Sequence, residues 1–327
     1  MRCVVFGYGS VGKRHTRNLK TLGVECLVID PEISRQDEAR NDDYEVFTSV
    51  SSLPNSSDFD AVLVCSPTKF HIEHLKWGLS LGKKIFLEKP ISMNLMDCAD
   101  IPSAHHKSVF VGYTYRWNTQ FIELKDAVDS GLIGRPYYAS FKVGMNLEDW
   151  HPWEHYVDFF MSKKSMGGGA LLDESHFLEL AIELFGMPRQ IFGQQSKISN
   201  LTIDSDDYVC ALLRYENLMV EVNLDLFRRP HQSSIEISGS QGSIFCDLVK
   251  RTNSFTLSKS YAKFDTEVRE FSYDRNDMFL EMIRDFLLFV DSEKPNPRVP
   301  FSRGLEVMEV IEMIRESSLN EFWTTRA

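Results

Sequence analysis

Residues 2–6 (RCVVF) form a short apolar run that ends directly in Gly7-Tyr8-Gly9-Ser10-Val11-Gly12. Few folds accept that order. An apolar run without polar alternation suits a strand buried on both faces of a parallel sheet. The residues that follow carry Val11, His15, Leu19 and Leu22 at helical spacing, and Gly23 stops the helix where a C′ glycine belongs. Between strand and helix, Gly7 permits a tight turn, Gly9 leaves the backbone uncovered, and Gly12 lets helix and strand pack closely. The helix N-terminus beyond the turn presents N–H donors and a partial positive charge. A strand, a glycine turn and a helix in this order begin a βα unit.

The next hundred residues repeat the unit. Residues 24–30 read as a second strand closed by Pro31, and 60–66 as a third after a polar segment. A helix is predicted over 69–81, ended by Gly82, with further strands at 83–87 and 108–113. Strands alternating with helices imply a doubly wound parallel sheet. After Trp117 the pattern changes. A helix over 119–130 leads into a strand at 137–143, then a loop rich in aromatics and histidine, then a helix over 170–185. From 189 to 271 the chain is mostly strand, with turns at Glu216-Asn217 and Ser240-Gln241-Gly242, which implies an antiparallel or mixed sheet. Helices over 275–291 and 303–318 follow. The expected class is α/β: a Rossmann-type parallel sheet over 1–117, then an α+β domain with an open, mostly antiparallel sheet over 118–327. A chain of 327 residues is long enough for two cores.

The glycine turn follows a strand, opens a helix, and is matched by an acidic residue, Asp30, at the end of the next strand. Together these define a dinucleotide site. Gly7, Gly9, Ser10, Val11 and Gly12 would cradle the pyrophosphate. Asp30 would accept hydrogen bonds from ribose hydroxyls and repel a 2′-phosphate, which favours NAD over NADP; Ser34 and Arg35 lie near enough to weaken that preference. Ser66-Pro67-Thr68 follow the third strand, at the carboxyl edge where open sheets bind ligands, so Ser66 and Thr68 are cofactor candidates. Thr68 would serve equally as the cap of the helix behind it.

Composition narrows the remaining classes. The net charge of −11 leaves no basic footprint for nucleic acid or an anionic membrane. The six cysteines form no C-x-x-C pair and several sit within apolar runs, as reduced cysteines of a cytoplasmic protein do. With a strand from residue 2, no leader peptide is expected. No apolar run is long enough to span a bilayer. His71 and His74 form H-x-x-H, but further zinc ligands cannot be placed, so no metal is expected.

Two motifs could carry chemistry. Glu88-Lys89-Pro90 ends another strand on the same carboxyl edge, where a lysine would lie beside the nicotinamide; spacing alone describes a strand-ending charged pair just as well. In Gly167-Gly168-Gly169-Ala170-Leu171-Leu172-Asp173-Glu174-Ser175-His176, Asp173 and His176 fall at i, i+3 on one predicted helix face. Such a pair suits general acid–base work, the carboxylate orienting the imidazole. Taken alone, a solvated polar face fits it better.

Taken together, GYGSVGKRH at 7–15, VCSPTKFH at 64–71, EKP at 88–90, VGYTYRW at 111–117 and GGGALLDESH at 167–176 resemble the Gfo/Idh/MocA oxidoreductases, over nearly the whole chain. The resemblance implies that Lys89 is the catalytic lysine and that Asp173 and His176 are the acid–histidine pair over the nicotinamide. It implies that Glu88 and Pro90 shape the cofactor-side loop, with a cis peptide before Pro90, and that His71 lies near the cofactor. Two positions depart from the family pattern. Many members space the Asp and His by four residues rather than three, and many have Asp where this chain has Glu179.

Further candidates surround these. Arg116 follows a strand end and could reach a substrate. His151-Pro152-Trp153-Glu154-His155-Tyr156 could wall a sugar pocket, with Tyr156 touching substrate, or form an interface loop. Arg228 and Arg229 could meet a phosphate or carboxylate, although surface charge explains them better. The expected activity is NAD-dependent oxidation of a secondary alcohol of a sugar, polyol or sugar nucleotide. A cofactor-sensing regulator without catalysis is one alternative. An enzyme that retains NAD for glycoside cleavage or epimerisation is another. The resemblance also implies a homodimer or homotetramer built on the open sheet.

Overall fold

The computed structural model describes residues 1–53, 59–150, 155–260 and 263–326. They form two compact units, Met1–Thr114 with Arg275–Met308, and Tyr115–Asp274 with Glu309–Ala327. The chain therefore leaves the first unit after Thr114, close to the single boundary expected after Trp117, but returns to it at Arg275.

The first unit holds six parallel strands: β1 (Arg2–Phe6), β2 (Glu25–Ile29), β3 (Glu45–Phe47), β4 (Ala61–Val64), β5 (Lys84–Leu87) and β6 (Val109–Val111), in the order β3-β2-β1-β4-β5-β6. The order reverses between β1 and β4, the crevice where doubly wound sheets bind ligands. Helices α1 (Ser10–Thr21), α2 (Ile33–Asn41), α3 (His71–Ser80) and α4 (Ser103–His106) connect the strands. Val4, Val5, Val62, Leu63, Ile85 and Phe86 are fully buried, as strands covered on both faces require. The polar segment between the second and third expected strands contains α2 and the short strand β3.

The returning helix α9 (Arg275–Val290) completes this core. Its Phe286 packs edge-on to Phe86 and Phe110, and Asn276 exchanges hydrogen bonds with Asn18 of α1 at 2.8 and 3.3 Å. A fully buried Phe contributes roughly 1.5–3 kcal/mol of transfer free energy, so Phe286 and Phe289 account for much of why α9 belongs here.

The second unit is built on a nine-stranded sheet. Its strands are β7 (Pro136–Gly144), β8 (Gln190–Ser196), β9 (Tyr208–Arg214), β10 (Met219–Asp225), β11 (Gln232–Gly239), β12 (Gly242–Asp247), β13 (Thr252–Ser260), β14 (Lys263–Glu270) and β15 (Thr324–Thr325). Among the paired strands only β7 and β10 run parallel; the other pairs are antiparallel. Helices α5 (Thr119–Asp129), α6 (Leu147–Trp150), α7 (Ala170–Asp173) and α8 (His176–Phe185) belong to this unit, and α10 (Phe301–Asn320) ends in it. Along β9 and β10 buried and half-buried residues alternate, the pattern of a sheet covered on one face. The single helix expected over 170–185 is two. It breaks at Glu174-Ser175, where the amide of Phe177 bonds the carbonyl of Glu174 at 3.0 Å and tightens the turn. Asp173 therefore ends one helix and His176 opens the next.

Candidate functional site

The parallel sheet aligns its functional segments by backbone pairing. The amide of Gly7 bonds Ile29 O, Cys65 N bonds Phe6 O, Glu88 N bonds Val64 O, and Gly112 N bonds Leu87 O. The residues just beyond β1, β4, β5 and β6 thus lie along one carboxyl edge.

At the head of that edge, α1 begins with Gly9 as its N-cap and no side-chain cap, so its first amides are left for an external acceptor. Ser10 and Val11 are exposed, and a Cβ on Gly9 would meet no protein atom within 4 Å. A Cβ on Gly12 would lie 2.0 Å from Gly7 O, so only glycine allows this approach of helix to turn. An open backbone cradle at a helix start fits a dinucleotide pyrophosphate. Asp30 is buried; its Oδ2 accepts from the Tyr8 amide at 2.7 Å and its Oδ1 from the Glu32 amide at 2.9 Å. It therefore braces the glycine turn, and each oxygen keeps a lone pair for a ribose hydroxyl. Ser34 Oγ donates to Glu32 at 2.6 Å, and Arg35 pairs with Glu38 at 3.4 Å.

Farther along, Ser66 Oγ is 2.9 Å from His74 Nδ1. Thr68 is buried, and neither the short turn it opens nor α3 has a side-chain cap. The His71 ring is buried with Nδ1 2.7 Å from Pro90 O and Nε2 2.8 Å from Ser66 O. Its hydrogen bonds go to the protein backbone. The Lys89-Pro90 peptide is cis, and Glu88 Oε2 accepts from the Lys89 amide at 3.1 Å. Among the described residues no group of three or more metal-binding side chains occurs; His71 opens α3 and His74 lies three residues on along the same helix.

Burial, and secondarily His71, push the pKa of His74 down to about 4; burial also lowers His71, against the opposing pull of its two carbonyl partners. In the folded protein His74 is therefore neutral near pH 6.5, where unfolded imidazoles bind protons, and burial shifts His71 in the same direction. In that window the unfolded state binds more protons, so acidification favours it. We expect the Tm of the cofactor-free protein to fall as pH drops from 6.5 toward about 5, above the range where carboxylates titrate. The variant His74→Gln should flatten part of that slope in calorimetry; an unchanged slope would exclude His74 as a source.

In the second unit, Gly169 has φ +118° and a Cβ there would strike Asp206 Oδ1 at 2.1 Å. Asp206 Oδ2 accepts from Leu171 N at 2.9 Å and so holds the start of α7. Asp173 is 8 % exposed; His176 is half-buried, with the Tyr115 ring edge-on at 5.2 Å. Arg116, 8 % exposed, lies 3.6 Å from Glu179 and in contact with Glu183, both on α8. Glu179, at the position where the chain departs from the family's usual Asp, is fully buried. Residues 151–154 of the aromatic segment lie outside the described residues; Tyr156 Oη accepts from Thr202 N at 3.1 Å. Arg228 bonds Asp225 and Gln232, and Arg229 grips Glu148 and Asp149, so both are tied to protein side chains. Removing the cation from a buried ion cluster strands its carboxylates. The variant Arg116→Met should therefore lose about 3 kcal/mol of stability, measured by urea unfolding; a loss below about 1 kcal/mol, the range of exposed pairs, would refute a structural charge cluster.

Sequence reasoning missed the pair formed by His15 Nε2 and Glu88 Oε1, 2.7 Å apart. No local pattern joins residues so distant in sequence. Asp206 escaped for the same reason.

A parallel sheet in this order, with an open glycine cradle and a braced acidic residue, defines a dinucleotide-binding protein of the Rossmann class. The description "Oxidoreductase family, NAD-binding Rossmann fold" matches residues 1–113, and "GFO/IDH/MocA C-terminal domain" matches residues 121–245. The chain belongs to the GFO/IDH/MocA family of NAD-binding oxidoreductases. It is 27% identical over 317 residues to a myo-inositol 2-dehydrogenase of Thermotoga maritima, covering 90% of each chain. Its fold matches a levoglucosan dehydrogenase in complex with NADH at TM-score 0.86 and 18% identity, covering 99% of this chain and 98% of that one. It also matches the WlbA dehydrogenase of Bordetella pertussis in complex with NADH and UDP-GlcNAcA at TM-score 0.82 and 19% identity, over 100% and 98%. Among the described residues no helix is long and apolar enough to cross a membrane.

Proposed function

We propose that the protein oxidises a secondary alcohol of a sugar, polyol or sugar nucleotide, or reduces the matching ketone, with NAD. The observation that carries this reading is the carboxyl edge of the parallel sheet, which lines up the glycine cradle, Asp30 and Lys89. The relatives' names supply the substrate class: inositol, levoglucosan and a UDP-sugar. When bound, NAD supplies the hydride acceptor. His176 takes the hydroxyl proton as the carbinol carbon gives up hydride and its C–O bond becomes a carbonyl. Lys89 donates a hydrogen bond to the same oxygen and offsets its developing charge. Asp173 orients His176. Arg116, held by Glu179 and Glu183, fixes α8, and Tyr156 donates its O–H to a substrate oxygen.

The test is purified protein with NAD or NADP against polyols, free sugars and sugar nucleotides, followed by NADH absorbance. Turnover with one class and NAD supports the reading. Tight NAD binding with no turnover across the panel favours a sensor, and product formation without net NADH favours a cofactor-retaining enzyme.

The reading extends to assembly and location. Phe245 on β12 and Phe264 and Val268 on β14 stand exposed, which supports a homodimer or homotetramer built on this sheet, and the scattered cysteines with no C-x-x-C pair suit the cytoplasm. Sedimentation at micromolar concentration should give at least a dimer; a monomer would refute it.

A further inference from the structure

We propose that two buried histidines, His15 and His71, hold the Glu88-Lys89-Pro90 turn from its two ends and thereby set the position of Lys89. The proposal rests on the role given to Lys89 above. His15 stands on α1, the helix that carries the glycine cradle, and is fully buried. Its Nε2–H donates to Glu88 Oε1 at 2.7 Å, and the other oxygen of that carboxylate accepts from the Lys89 amide at 3.1 Å. Glu88 is thus a link with one hand on the cofactor helix and the other on the backbone of Lys89. At the far end, His71 of α3 reaches Pro90 O and Ser66 O at 2.7 and 2.8 Å, spanning the segments that follow β5 and β4. Each ring nitrogen of His71 thus faces a backbone carbonyl, one from each segment.

The surroundings are shaped to this link. Phe86 lies 4.9 Å and Phe279 6.0 Å from the His15 ring, and a Cβ on Gly112 would lie 3.1 Å from Glu88 Oε1. Burying a histidine–carboxylate pair is costly in desolvation, and apolar residues of the same volume would serve a scaffold equally well. What the pair supplies is direction. Rigid support of a reacting group is worth much, since a 1 Å misplacement can cost about 100-fold in rate.

The test uses His15→Leu, which keeps volume without a donor, and His15→Gln, which keeps an N–H at similar reach. The leucine variant should lower kcat about 10- to 100-fold, with NAD affinity within about twofold by fluorescence titration. In the cofactor-free protein it should speed amide hydrogen exchange in a peptide covering residues 86–92. The glutamine variant should restore most of both, and His71→Leu should repeat the leucine signature. In a Lys89→Ala background, His15→Leu should cost nothing further in residual turnover, because its effect passes through Lys89. Should His15→Leu fail to fold, Glu88→Gln replaces it: the amide oxygen still accepts from His15, but its NH2 cannot accept from Lys89, so exchange should rise. A folded His15→Leu, or Glu88→Gln, with wild-type kcat and exchange overturns the clamp. If Lys89→Ala itself keeps full turnover, the role of Lys89 fails, and the clamp with it. If Lys89→Ala is inactive while His15→Leu is fully active, only the clamp fails.

Discussion

Replacing Lys89 with alanine is expected to lower kcat by about three orders of magnitude while NAD affinity changes by no more than a few-fold. The size follows from the task. A donor aimed at an oxygen that gains negative charge in the transition state is worth about 100- to 1,000-fold, and a positive charge in a water-poor site reaches the upper end. The selectivity follows from the architecture. Glu88 accepts from the backbone amide of Lys89, so truncating the side chain leaves that bond in place. In the proposed site the cofactor meets the glycine cradle and Asp30, which follow β1 and β2 rather than β5. The loss should therefore appear in kcat and kcat/KM together, the mark of an interaction made mainly in the transition state. Lys89→Arg should recover little, because a planar guanidinium on a different stem does not present its donors where the ammonium does. Steady-state NADH absorbance and fluorescence titration of NAD decide it. Wild-type turnover in Lys89→Ala would remove the lysine from the chemistry, and a large loss of NAD affinity would make it a cofactor ligand instead.

The parts of this molecule legible in its sequence are those written locally. RCVVF followed by the glycine turn, and Gly23 and Gly82 after their helices, are backbone instructions within a few residues, and those elements appear where expected. Helix α2 was not legible: Ile33–Asn41 is polar on every side, with Ile33 itself 73% exposed, and shows no apolar stripe. It is held by Ala39, packed with Tyr8 and Val28 and flanked by Tyr44 and Val46, partners from three other segments. Strand β3 is three residues long, too short to show a period. Helix α9 was visible as a helix, but its membership of the first unit depends on Phe286 meeting Phe86 and Phe110. The site divides in the same way. Gly7, Gly9, Gly12 and Asp30 could be argued from physics alone. Lys89, Asp173 and His176 needed the family resemblance, because a lysine after a strand and a polar i, i+3 pair are ordinary. Their supports, His15 for Glu88 and Asp206 for α7, are contacts between distant segments.

The glycine cradle offers the sharpest separation of folding from binding. Gly9→Ala and Gly12→Ala add the same methyl group three residues apart, with opposite expected consequences for stability. At Gly9 the backbone has φ −68°, which alanine adopts freely, and the new Cβ meets no protein atom within 4 Å. The Tm should stay within about 1 °C of wild type, as for a surface change touching nothing. The methyl would occupy the space through which the pyrophosphate approaches the amides of α1, so NAD affinity should fall at least about 100-fold. At Gly12 the new Cβ would lie 2.0 Å from Gly7 O and 2.9 Å from Gly7 C, both backbone atoms that no rotamer change can move. Relief requires α1 to lift from β1, an overpacking cost of about 3 kcal/mol, or roughly 4 °C in Tm for a chain of this size. NAD binding should be lost there too, because the helix start no longer faces the turn. Differential scanning calorimetry without cofactor, paired with NAD titration, reads both variants. If Gly9→Ala binds NAD normally, the pyrophosphate does not cross that residue. If Gly12→Ala is as stable as wild type, the close packing of α1 on the turn is not what holds the cradle in shape.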